Sequence, residues 1–438
     1  MKVLKALAAV LPLALFLGAC NLDDIKGGDD DKNKASLRLL NLSPGYQSLD
    51  LYANDGTSSD ELKLEAVGYN TMSDYASFAD ATYSLKLRRA GVSSTLQTLS
   101  SAKLVEDSHT VLVAYGSNGH FGSVVFNEDA SDAGSGESKI ILVNTGEAGS
   151  LSVYLTGESV ALEDATPQFS GVAHGSAASA VIVESGTYRL RVTGAGDTAD
   201  VRLDLAEVAF KEKEVTALLL SATQGGVLVN AVLLPQQGSP TLLNNSKARI
   251  RGAVGIANGT SVTAKVGSVS LLSNAGIGVI GSRYSQVEAG TATVSVAVDG
   301  TALSVPAATL AAGGDYTLLV WSNTTNGAQT TLISDDNRLP VTSGKAKVRI
   351  INGVSGLEAP ITLSVDYSPL IEGIALGTAS SFVEVDGGLN YQFDIANGDT
   401  GVNLFTRTGT SMQTGSVYTM FMHGGGTSAV GATLRKDR

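Results

Sequence analysis

The feature of this sequence that most constrains its fold is an internal repeat of four units. Each unit contains a strongly apolar run near its end, and each of these runs carries a threonine: Thr110, Thr216, Thr317 and Thr419. The threonines lie about one hundred residues apart, which is the length of a whole domain, whereas solenoid units of about 20–45 residues stack to share one core. The repeat therefore predicts four domains in tandem.

Every repeat shows the alternation expected of β-strands. In the run YRLRV, apolar residues at 188, 190 and 192 alternate with two arginines. Such alternation buries one face of a strand in a core and leaves the other face in water. No segment has a sustained helical period, and turn signals recur about every eight to twelve residues. We therefore predict an all-β chain of tandem immunoglobulin-like β-sandwich domains, each with about seven or eight short antiparallel strands.

The N-terminal stretch MKVLKALAAVLPLALFLGAC has the pattern of an export signal. Two lysines precede an apolar run over residues 6–17, which is too short to cross a bilayer as a helix. The ending LGAC resembles the lipobox of bacterial lipoproteins, which implies a diacylglycerol on the thiol of Cys20, cleavage before it and acylation of the new amine. Cys20 is the only cysteine of the chain. The alternative is an ordinary secretion signal with a chance cysteine.

Residues 21–34, NLDDIKGGDDDKNK, offer almost no apolar surface to bury, so we expect a solvated acidic tether rather than a calcium site. Two or three acyl chains hold a protein stably at a membrane, which makes the membrane its first expected partner. Asn21, not an aspartate, follows the cysteine, and in the enterobacterial lipoprotein pattern this implies transport to the outer membrane. The expected location is the cell envelope, as an outer-membrane lipoprotein facing the periplasm or the cell surface.

Polar segments containing Gly, Pro or Asp separate the repeats, as expected of linkers. They cover residues 127–137, 234–246 and 334–345. The predicted segments are a lipoprotein signal peptide (1–19), a lipidated cysteine with a flexible acidic tether (20–35), and four β-sandwich repeats (36–128, 138–235, 246–335 and 345–438). If the linkers stay open, four domains of about 35–40 Å each form a rod well over ~100 Å long.

The order of motifs resembles a known family. LLNLSPGYQSLDLYANDG in repeat one and SGTYRLRVTGAGD in repeat two are similar to motifs of the domain-of-unknown-function family DUF4397, and YTLLVW in repeat three fits the same order. Members occur in tandem in exported bacterial proteins, many of them lipoproteins. The resemblance covers nearly all of residues 36–435. It implies a fold but no catalytic residues, because none are known for the family.

Neither charge nor glycine spacing indicates nucleotide chemistry. With 42 acidic and 30 basic residues the formal charge is −12, whereas nucleic-acid binding requires clustered Lys and Arg. Gly276, Gly278 and Gly281 have the spacing G-x-G-x-x-G, but a dinucleotide site needs a helix to follow. A β-branched alternating run follows instead, and similar glycine turns recur at Gly175 and Gly377. We predict no nucleic-acid partner and no cofactor.

The sequence provides no recognisable catalytic or metal centre. The four histidines, His109, His120, His174 and His423, occupy different places in their repeats. A Ser–His–Asp set needs three groups in one pocket, and metal sites need clustered ligands. The segment YANDG lacks the remainder of a calcium loop. We predict no catalytic, cofactor-binding or metal residues, and a protein that is not an enzyme.

Aromatic residues provide the one ligand candidate. Trp321 alternates with Leu319, which favours a position in or near a core, whereas Tyr46 in the SPGY loop is the best exposed candidate for stacking on a sugar. We predict a lipid-anchored cell-envelope protein with a binding, adhesion or structural role, and an envelope protein or polysaccharide as partner. Two alternatives stay open. An envelope carbohydrate-binding protein requires aligned exposed aromatics, and a hydrolase requires a convergent His–carboxylate pocket.

Overall fold

The computed structural model describes residues 34–57, 59–117, 119–223, 225–256, 260–426 and 428–438. These residues are mostly in β-strands, and the only helical element among them is the 3-10 turn Leu162–Asp164. The predicted all-β class of tandem sandwiches is confirmed. The signal peptide, Cys20 and residues 21–33 of the tether lie outside the described residues, so the lipid anchor stays a prediction. Within the described ranges, no helix has the length and apolar character needed to cross a membrane.

The strands form four successive domains. Domain 1 contains β1 (Ala35–Leu42), β2 (Ser48–Asn54), β3 (Glu61–Gly68), β4 (Thr71–Met72), β5 (Ala76–Phe78), β6 (Ala81–Arg89), β7 (Thr95–Leu104), β8 (His109–Tyr115) and β9 (Gly122–Asn127). Domain 2 contains β10 (Glu137–Thr145), β11 (Leu151–Thr156), β12 (Phe169–Val172), β13 (Ser176–Ala177), β14 (Val181–Glu184), β15 (Gly186–Gly194), β16 (Val201–Phe210), β17 (Val215–Ala222), β18 (Val229–Pro235) and β19 (Thr241–Leu243). Domain 3 contains β20 (Lys247–Gly255), β21 (Val262–Val266), β22 (Val269–Ala275), β23 (Ser285–Glu288), β24 (Gly290–Ala292), β25 (Val294–Val298), β26 (Thr301–Leu303), β27 (Ala308–Leu310), β28 (Asp315–Asn323) and β29 (Gly327–Asp335). Domain 4 contains β30 (Lys345–Asn352), β31 (Ile361–Val365), β32 (Ser368–Ile374), β33 (Val383–Asp386), β34 (Gly388–Asn397), β35 (Asn403–Met412), β36 (Val417–Gly425) and β37 (Ser428–Lys436).

Each domain has a front sheet, which contains its first strand, and a back sheet. In domain 1 the front sheet has the order β4-β1-β8-β9, with β5 also paired to β1, and the back sheet has the order β3-β2-β6-β7. The expectation of antiparallel strands throughout is wrong at one place in every domain. The first strand of each domain runs parallel to the strand that carries the strongly apolar run, in the pairs β1·β8, β10·β17, β20·β28 and β30·β36. Parallel neighbours need a long crossover, which the back sheet supplies.

The core of each domain lies between its two sheets. In domain 1, Leu37 and Leu39 of β1 face Leu49, Leu51 and Leu85 of the back sheet, and all five are fully buried. The other three domains have corresponding apolar clusters. The alternation read from the sequence therefore fixes the inward face of each strand.

The outward faces of the front sheets are also buried, because the domains pack in pairs. Leu40 and Val111 of domain 1 form one cluster with Val143, Leu219 and Val232 of domain 2, and we call these two domains the first pair. Strands buried on both faces read as continuous apolar runs, and this explains the run TALLLSA in β17.

Domains 3 and 4 pack in the same way and form the second pair. Their shared cluster contains Ala253 and Leu319 of domain 3 and Ile351 and Phe421 of domain 4. The threonines that mark the four repeats in the sequence do not all occupy equivalent positions in the structure. Thr110 pairs with core-facing Leu37, whereas Thr317 pairs with Arg251, which faces domain 4. A slip of one residue changes the face of a strand, so Thr317 is not equivalent to Thr110.

The condition for an extended rod, that the linkers stay open, is not met, because linker residues are buried and bonded. Glu128 accepts a hydrogen bond from Arg38 Nε at 2.9 Å. Asn245 donates from Nδ2 to the carbonyl oxygen of Arg202 at 2.8 Å, and Asn337 is fully buried. Polar residues at these joints pair with one another and with the domains instead of facing water.

The two pairs also contact each other. Arg438 of domain 4 donates from Nη1 to the carbonyl oxygens of Gly226 in domain 2, at 2.7 Å, and of Asn337, at 3.1 Å. His120 of domain 1 donates from Nε2 to the carbonyl oxygen of Leu339 at 2.9 Å. The four domains therefore form one packed body and not the rod that open linkers would produce.

Candidate functional site in the groove between domains 2 and 3

The glycine-rich stretch that resembles a dinucleotide motif is a turn that recurs in several domains. Gly175, Gly278 and Gly377 have φ values of +74°, +78° and +77°. Each donates its backbone N–H to the first strand of its own domain, at 2.7, 2.9 and 2.8 Å. The chain then continues into the short strand β23 and not into a helix, so no helix N-terminus is present there for a pyrophosphate.

Glycine is required at these positions because an aromatic side chain of the neighbouring domain lies where a Cβ atom would be. A Cβ at Gly175 would lie 2.6 Å from the hydroxyl of Tyr115, and one at Gly278 would lie 2.7 Å from the ring of His423. Gly377 lies against Trp321, whose Nε1 donates to Thr331 at 2.9 Å. The tryptophan is thus half-buried at an interface between domains, close to the expected core position.

Tyr46, the ligand contact suggested by the sequence, is not on the surface. It is 6% exposed and packs edge-to-face on Phe121 with the ring centroids 4.9 Å apart. The expectation of exposure is wrong because the SPGY turn folds back and closes one end of the domain 1 core. Asn41 holds that turn by donating from Nδ2 to the carbonyl oxygen of Tyr46 at 3.1 Å.

The histidines lie in separate places, and two of them share a cleft. His109 pairs with Asp129 at 2.7 Å, and His423 contacts Thr433 at 3.2 Å. His174 and His120 line a cleft of about 350 Å³ where domains 1, 2 and 4 meet the third linker. His174 donates from Nδ1 to the carbonyl oxygen of Gly146 at 2.8 Å, and burial lowers the pKa of its imidazole.

No described histidine bridges a hydroxyl and a carboxylate in the manner of a Ser–His–Asp triad. Among the residues that the structure describes, no group of three or more His, Cys, Asp or Glu side chains is arranged to hold a metal ion.

An extended concave surface lies between domains 2 and 3. Three adjoining cavities of about 290, 350 and 590 Å³ form it. Asp200 and Tyr284 line both of the first two cavities, and Gln286 lines the second and the third, so each cavity adjoins the next. Residues 197–204 form one wall and residues 282–293 the other. We call this the interdomain groove, with a basic end at the first cavity and a wide end at the third.

Two contacts hold the walls of the groove in place. Gln286 donates from Nε2 to the carbonyl oxygen of Val201 at 2.5 Å, and Arg283 lies 3.3 Å from Asp197. Ligand sites are concentrated at such domain interfaces because two rigid walls can present groups to one ligand from both sides.

The basic end is lined by Arg202, Arg249, Arg283 and Arg438. Arg202 lies in β16 where the register with β15 shifts: Val201 pairs with Thr193, but Leu203 pairs with Val192. Arg202 is therefore the extra residue of a β-bulge, which redirects a side chain.

The buried polar atoms of the basic end are only partly satisfied. Arg202 pairs with Asp200 and donates from Nη1 to the carbonyl oxygen of Val227 at 3.2 Å, but its buried Nε has no partner among the described residues. Arg249 forms two bonds to Asp315, the Nε bond being 2.7 Å long.

Arg438 differs from the other arginines in its partners. Its guanidinium donates to the backbone carbonyl oxygens of Gly226, Asn337 and Glu147. Among the described ion pairs, no carboxylate is paired with it. Burial, together with the charge of Arg202, lowers the pKa of Arg438 to about 9.

The wide end has a mixed lining. Val266 and Val269 flank the turn of the β21–β22 hairpin, and Lys247 pairs with Glu288 on the opposite rim. Asp204 at the junction of the cavities is held by Arg189 at 2.6 Å. Hydroxyl and amide side chains supply the remaining polar lining.

Sequence reasoning missed this groove because its residues come from two repeats and lie on loops, bulges and strand ends. The arginines of β20 alternate with core residues, so Arg249 reads as an ordinary solvent-facing position. Only the cluster of Asp197, Asp200 and Asp204 beside Arg202 was a visible signal, and charge runs of this kind usually belong to a solvated face.

Comparison with known proteins identifies a family and also finds distant similarity to solved structures. The family described as "Domain of unknown function (DUF4397)" matches residues 35–154 and 248–357, which together make up more than half of the chain. Each match starts at the first domain of a pair and extends past the first strand of the second. No curated protein is significantly similar to this sequence.

Among solved structures, one that is distantly similar to this chain is a family 26 carbohydrate-binding module of Eubacterium rectale Amy13K in complex with maltoheptaose. That similarity has 11% identity and a TM-score of 0.16, and covers 43% of this chain and 92% of that chain. A second similar structure is the multi-modular glycogen-degrading pneumococcal virulence factor SpuA, with 10% identity and a TM-score of 0.17, covering 84% of this chain and 37% of that chain. TM-scores this low carry no argument about function.

Proposed function

This chain belongs to the DUF4397 family, whose function is unknown, and we propose that it is a lipid-anchored cell-envelope protein that binds an envelope ligand in the interdomain groove. The observation that carries the proposal is a row of three adjoining cavities between two domains whose walls are bonded to each other. A row of adjoining cavities suits a chain-like partner better than a small metabolite.

The anchoring part of the proposal rests on the N-terminal sequence. LGAC before Cys20 has the lipobox pattern, and the acidic segment after it supplies a spacer of about 14 residues with a reach of roughly 20 Å. Asn21 in the next position supports outer-membrane attachment. The packed body then stands close to the membrane, facing the periplasm or the cell surface.

We propose binding and not catalysis. The four histidines have separate partners, and the groove is lined by charged side chains that are mostly engaged in ion pairs. Such a lining is suited to recognising polar groups of a ligand. Among envelope partners, a polysaccharide fits best, because hydroxyl and amide side chains along the wide end can exchange hydrogen bonds with sugar hydroxyls.

The anchor is tested by Cys20→Ser, with Asn21→Ser as the control that keeps the thiol. We expect the first variant to leave the membrane fraction or to accumulate as an uncleaved precursor, and the second to stay in the membrane. Mass spectrometry measures acylation of the wild-type protein. An unlipidated soluble wild-type species, or one found only in the inner membrane, contradicts the proposal.

The groove is tested by blocking its wide end. Ser268 is exposed at the tip of the β21–β22 hairpin, and Tyr367 is at the corresponding tip in domain 4, outside the groove. We expect Ser268→Trp to lower the affinity of the detergent-solubilised protein for fractionated envelope polysaccharide at least tenfold, and Tyr367→Trp to leave it unchanged. Equal loss in both variants, or no binding by wild type, refutes the groove.

A further inference from the structure

We propose that the basic end of the interdomain groove is an anion-binding subsite, formed around Arg202, Arg249 and Arg438, that takes the anionic group of an acidic saccharide. This inference rests on the proposed binding function and names the class of ligand. The anionic group would be a carboxylate, as in a uronic acid, or a sulfate or phosphate substituent.

The ion pairs around the basic end leave one guanidinium, that of Arg438, without a paired carboxylate among the described residues. Each aspartate near this end is already paired with an arginine, in the pairs Asp200–Arg202, Asp315–Arg249, Asp437–Arg251 and Asp197–Arg283. Arg438 has backbone carbonyl oxygens as its partners among the described hydrogen bonds, and these neutralise no charge. The positive charge of its guanidinium is therefore not balanced by an ion pair within the described residues.

Partial burial makes an unpaired guanidinium costly. Arg202 is buried and Arg438 is half-buried, and a cation removed from water is destabilised unless an anion or several hydrogen-bond acceptors compensate it. The unpartnered Nε of Arg202 lies in the same cluster. An anionic group bound here would pair with the guanidinium of Arg438 through charge-assisted hydrogen bonds and lie beside the positive charge of Arg202.

The surroundings select for an isolated anionic group. Asp197 and Asp200 lie on the wall of the same cavity, and the chain as a whole carries a formal charge of −12. A polyanion with closely spaced charges, such as a nucleic acid, would be repelled by these carboxylates. A saccharide chain spaces its charges by at least one sugar ring, so one anionic group can enter the basic end while neutral hydroxyls lie along the wide end.

The test compares an α-1,4-linked galacturonic acid oligosaccharide with its carboxyl-reduced neutral counterpart and with inorganic sulfate. Binding to the detergent-solubilised full chain is measured by isothermal titration calorimetry. We expect the acidic oligosaccharide to bind at least tenfold more tightly than the neutral one, with an affinity that falls as salt is added. Sulfate at millimolar concentration should compete with it.

Two variants, each with a control, test whether the acidic group binds at the basic end. Ser282 is exposed and lines the basic end, so Ser282→Glu should weaken binding of the acidic oligosaccharide at least tenfold without disturbing buried side chains, whereas Ser282→Gln should not. Arg202→Gln should have a similar effect. Arg88→Gln, which breaks a comparable Arg–Asp pair in domain 1, is its control.

The outcomes separate the subsite from the groove. Equal binding of acidic and neutral oligosaccharides that is still lost in Ser268→Trp overturns the subsite and leaves the groove in place. Binding of sulfate without binding of either oligosaccharide overturns the assignment to a saccharide. No binding of any probe overturns the inference altogether.

Discussion

The first and second domain pairs share one docking geometry but hold it with different chemistry. In the first pair the outward faces of the front sheets meet through aliphatic side chains such as Val113 and Leu219. In the second pair the corresponding strands carry arginines and aspartates, and the apolar cluster is smaller. The position of Val111 in β8 is occupied in β28 by Thr317, which belongs to a buried polar network.

In the polar network of the second pair, each domain contributes an arginine that pairs with an aspartate of the other domain. Arg251 of domain 3 pairs with Asp437 of domain 4 at 2.5 Å, and Arg349 of domain 4 pairs with Asp335 of domain 3 at 2.7 Å. Tyr284 donates its hydroxyl to Asp335 at 2.7 Å. Buried ion pairs gain little net stability over apolar contacts, but loss of one partner is costly. The second interface should therefore be the more sensitive to single substitutions.

The largest effect is expected from Asp335→Ala in the second pair. The side chain of Asp335 is fully buried, and its removal leaves the Arg349 guanidinium without its ion-pair partner and the hydroxyls of Tyr284 and Thr317 without their acceptor. We expect a loss of about 3–5 kcal/mol in the free energy of unfolding of this pair, measured by denaturant titration of the full chain.

The matched control is an exposed aspartate of domain 4. Asp386 pairs with Lys345 at 2.9 Å, and the side chain of Asp386 is 76% exposed. Asp386→Ala should cost less than about 1 kcal/mol. Similar losses in the two variants would show that burial does not govern the second interface.

A smaller loss is expected from Leu219→Ala in the first pair. Leu219 is fully buried between domains 1 and 2, so its truncation removes apolar contacts and leaves a cavity but no unpaired charge. We expect about 2–4 kcal/mol, again by denaturant titration. Leu389→Ala, at a side chain that is 76% exposed, should change stability by less than about 0.5 kcal/mol. A Leu219 effect as small as that of Leu389 would argue against the domain 1–domain 2 contact.

The sequence predicts the sandwiches well because alternation depends only on local burial. YRLRV in β15 and the strongly apolar run of β17 are read correctly, since strand periodicity follows directly from the two faces. It does not reveal the pairing of domains. An apolar outward face and an apolar core face look alike in sequence. The run TALLLSA therefore does not show that one of its faces packs against a neighbouring domain.

The site is less predictable than the fold. Tyr46 in a Pro-Gly turn has the sequence of an exposed loop, but the turn closes onto Phe121. The linkers have the composition of open segments, but Asn337 donates from Nδ2 to Asp315 at 2.8 Å in the interior. Both errors come from tertiary contacts between groups far apart in the chain, and no local pattern encodes them.

Substitutions at two turn glycines test whether Trp321 contributes to the interface of the second pair. Gly377 has a positive φ and lies against Trp321, whereas Gly373 has a similar φ of +73° with open space around its Cβ position. Gly373→Ala should cost about 1 kcal/mol from backbone strain alone. Gly377→Ala should cost about 2 kcal/mol, because it must also displace the tryptophan ring.

Unfolding transitions of the two alanine variants measure this difference. The first pair supplies a natural comparison, since Asn70 has the corresponding turn position in domain 1 with a φ of +59° and donates its N–H to the carbonyl oxygen of Asn41 at 2.7 Å. Equal destabilisation by Gly373→Ala and Gly377→Ala would mean that Trp321 does not fix this interface.

The smallest effect on stability is expected from a change in pH, and it distinguishes His423 of the second pair from Tyr115 of the first pair. His423 lies against Gly278 in the second pair, and burial lowers the pKa of its imidazole below the unfolded value of about 6.5. Tyr115 has the corresponding position in the first pair and carries no charge change in this range. Because the unfolded chain binds a proton at His423 more readily than the folded chain, stability falls as pH drops from 7 through 6.5 toward the lowered pKa.

We therefore expect His423→Phe to flatten part of the decline in unfolding free energy between pH 7 and 5, and Tyr115→Phe to leave that slope unchanged. His174 also has a lowered pKa, so His174→Phe should remove a second and separate part. A slope that is the same in wild type and His423→Phe would show that this histidine keeps its ordinary pKa at the interface.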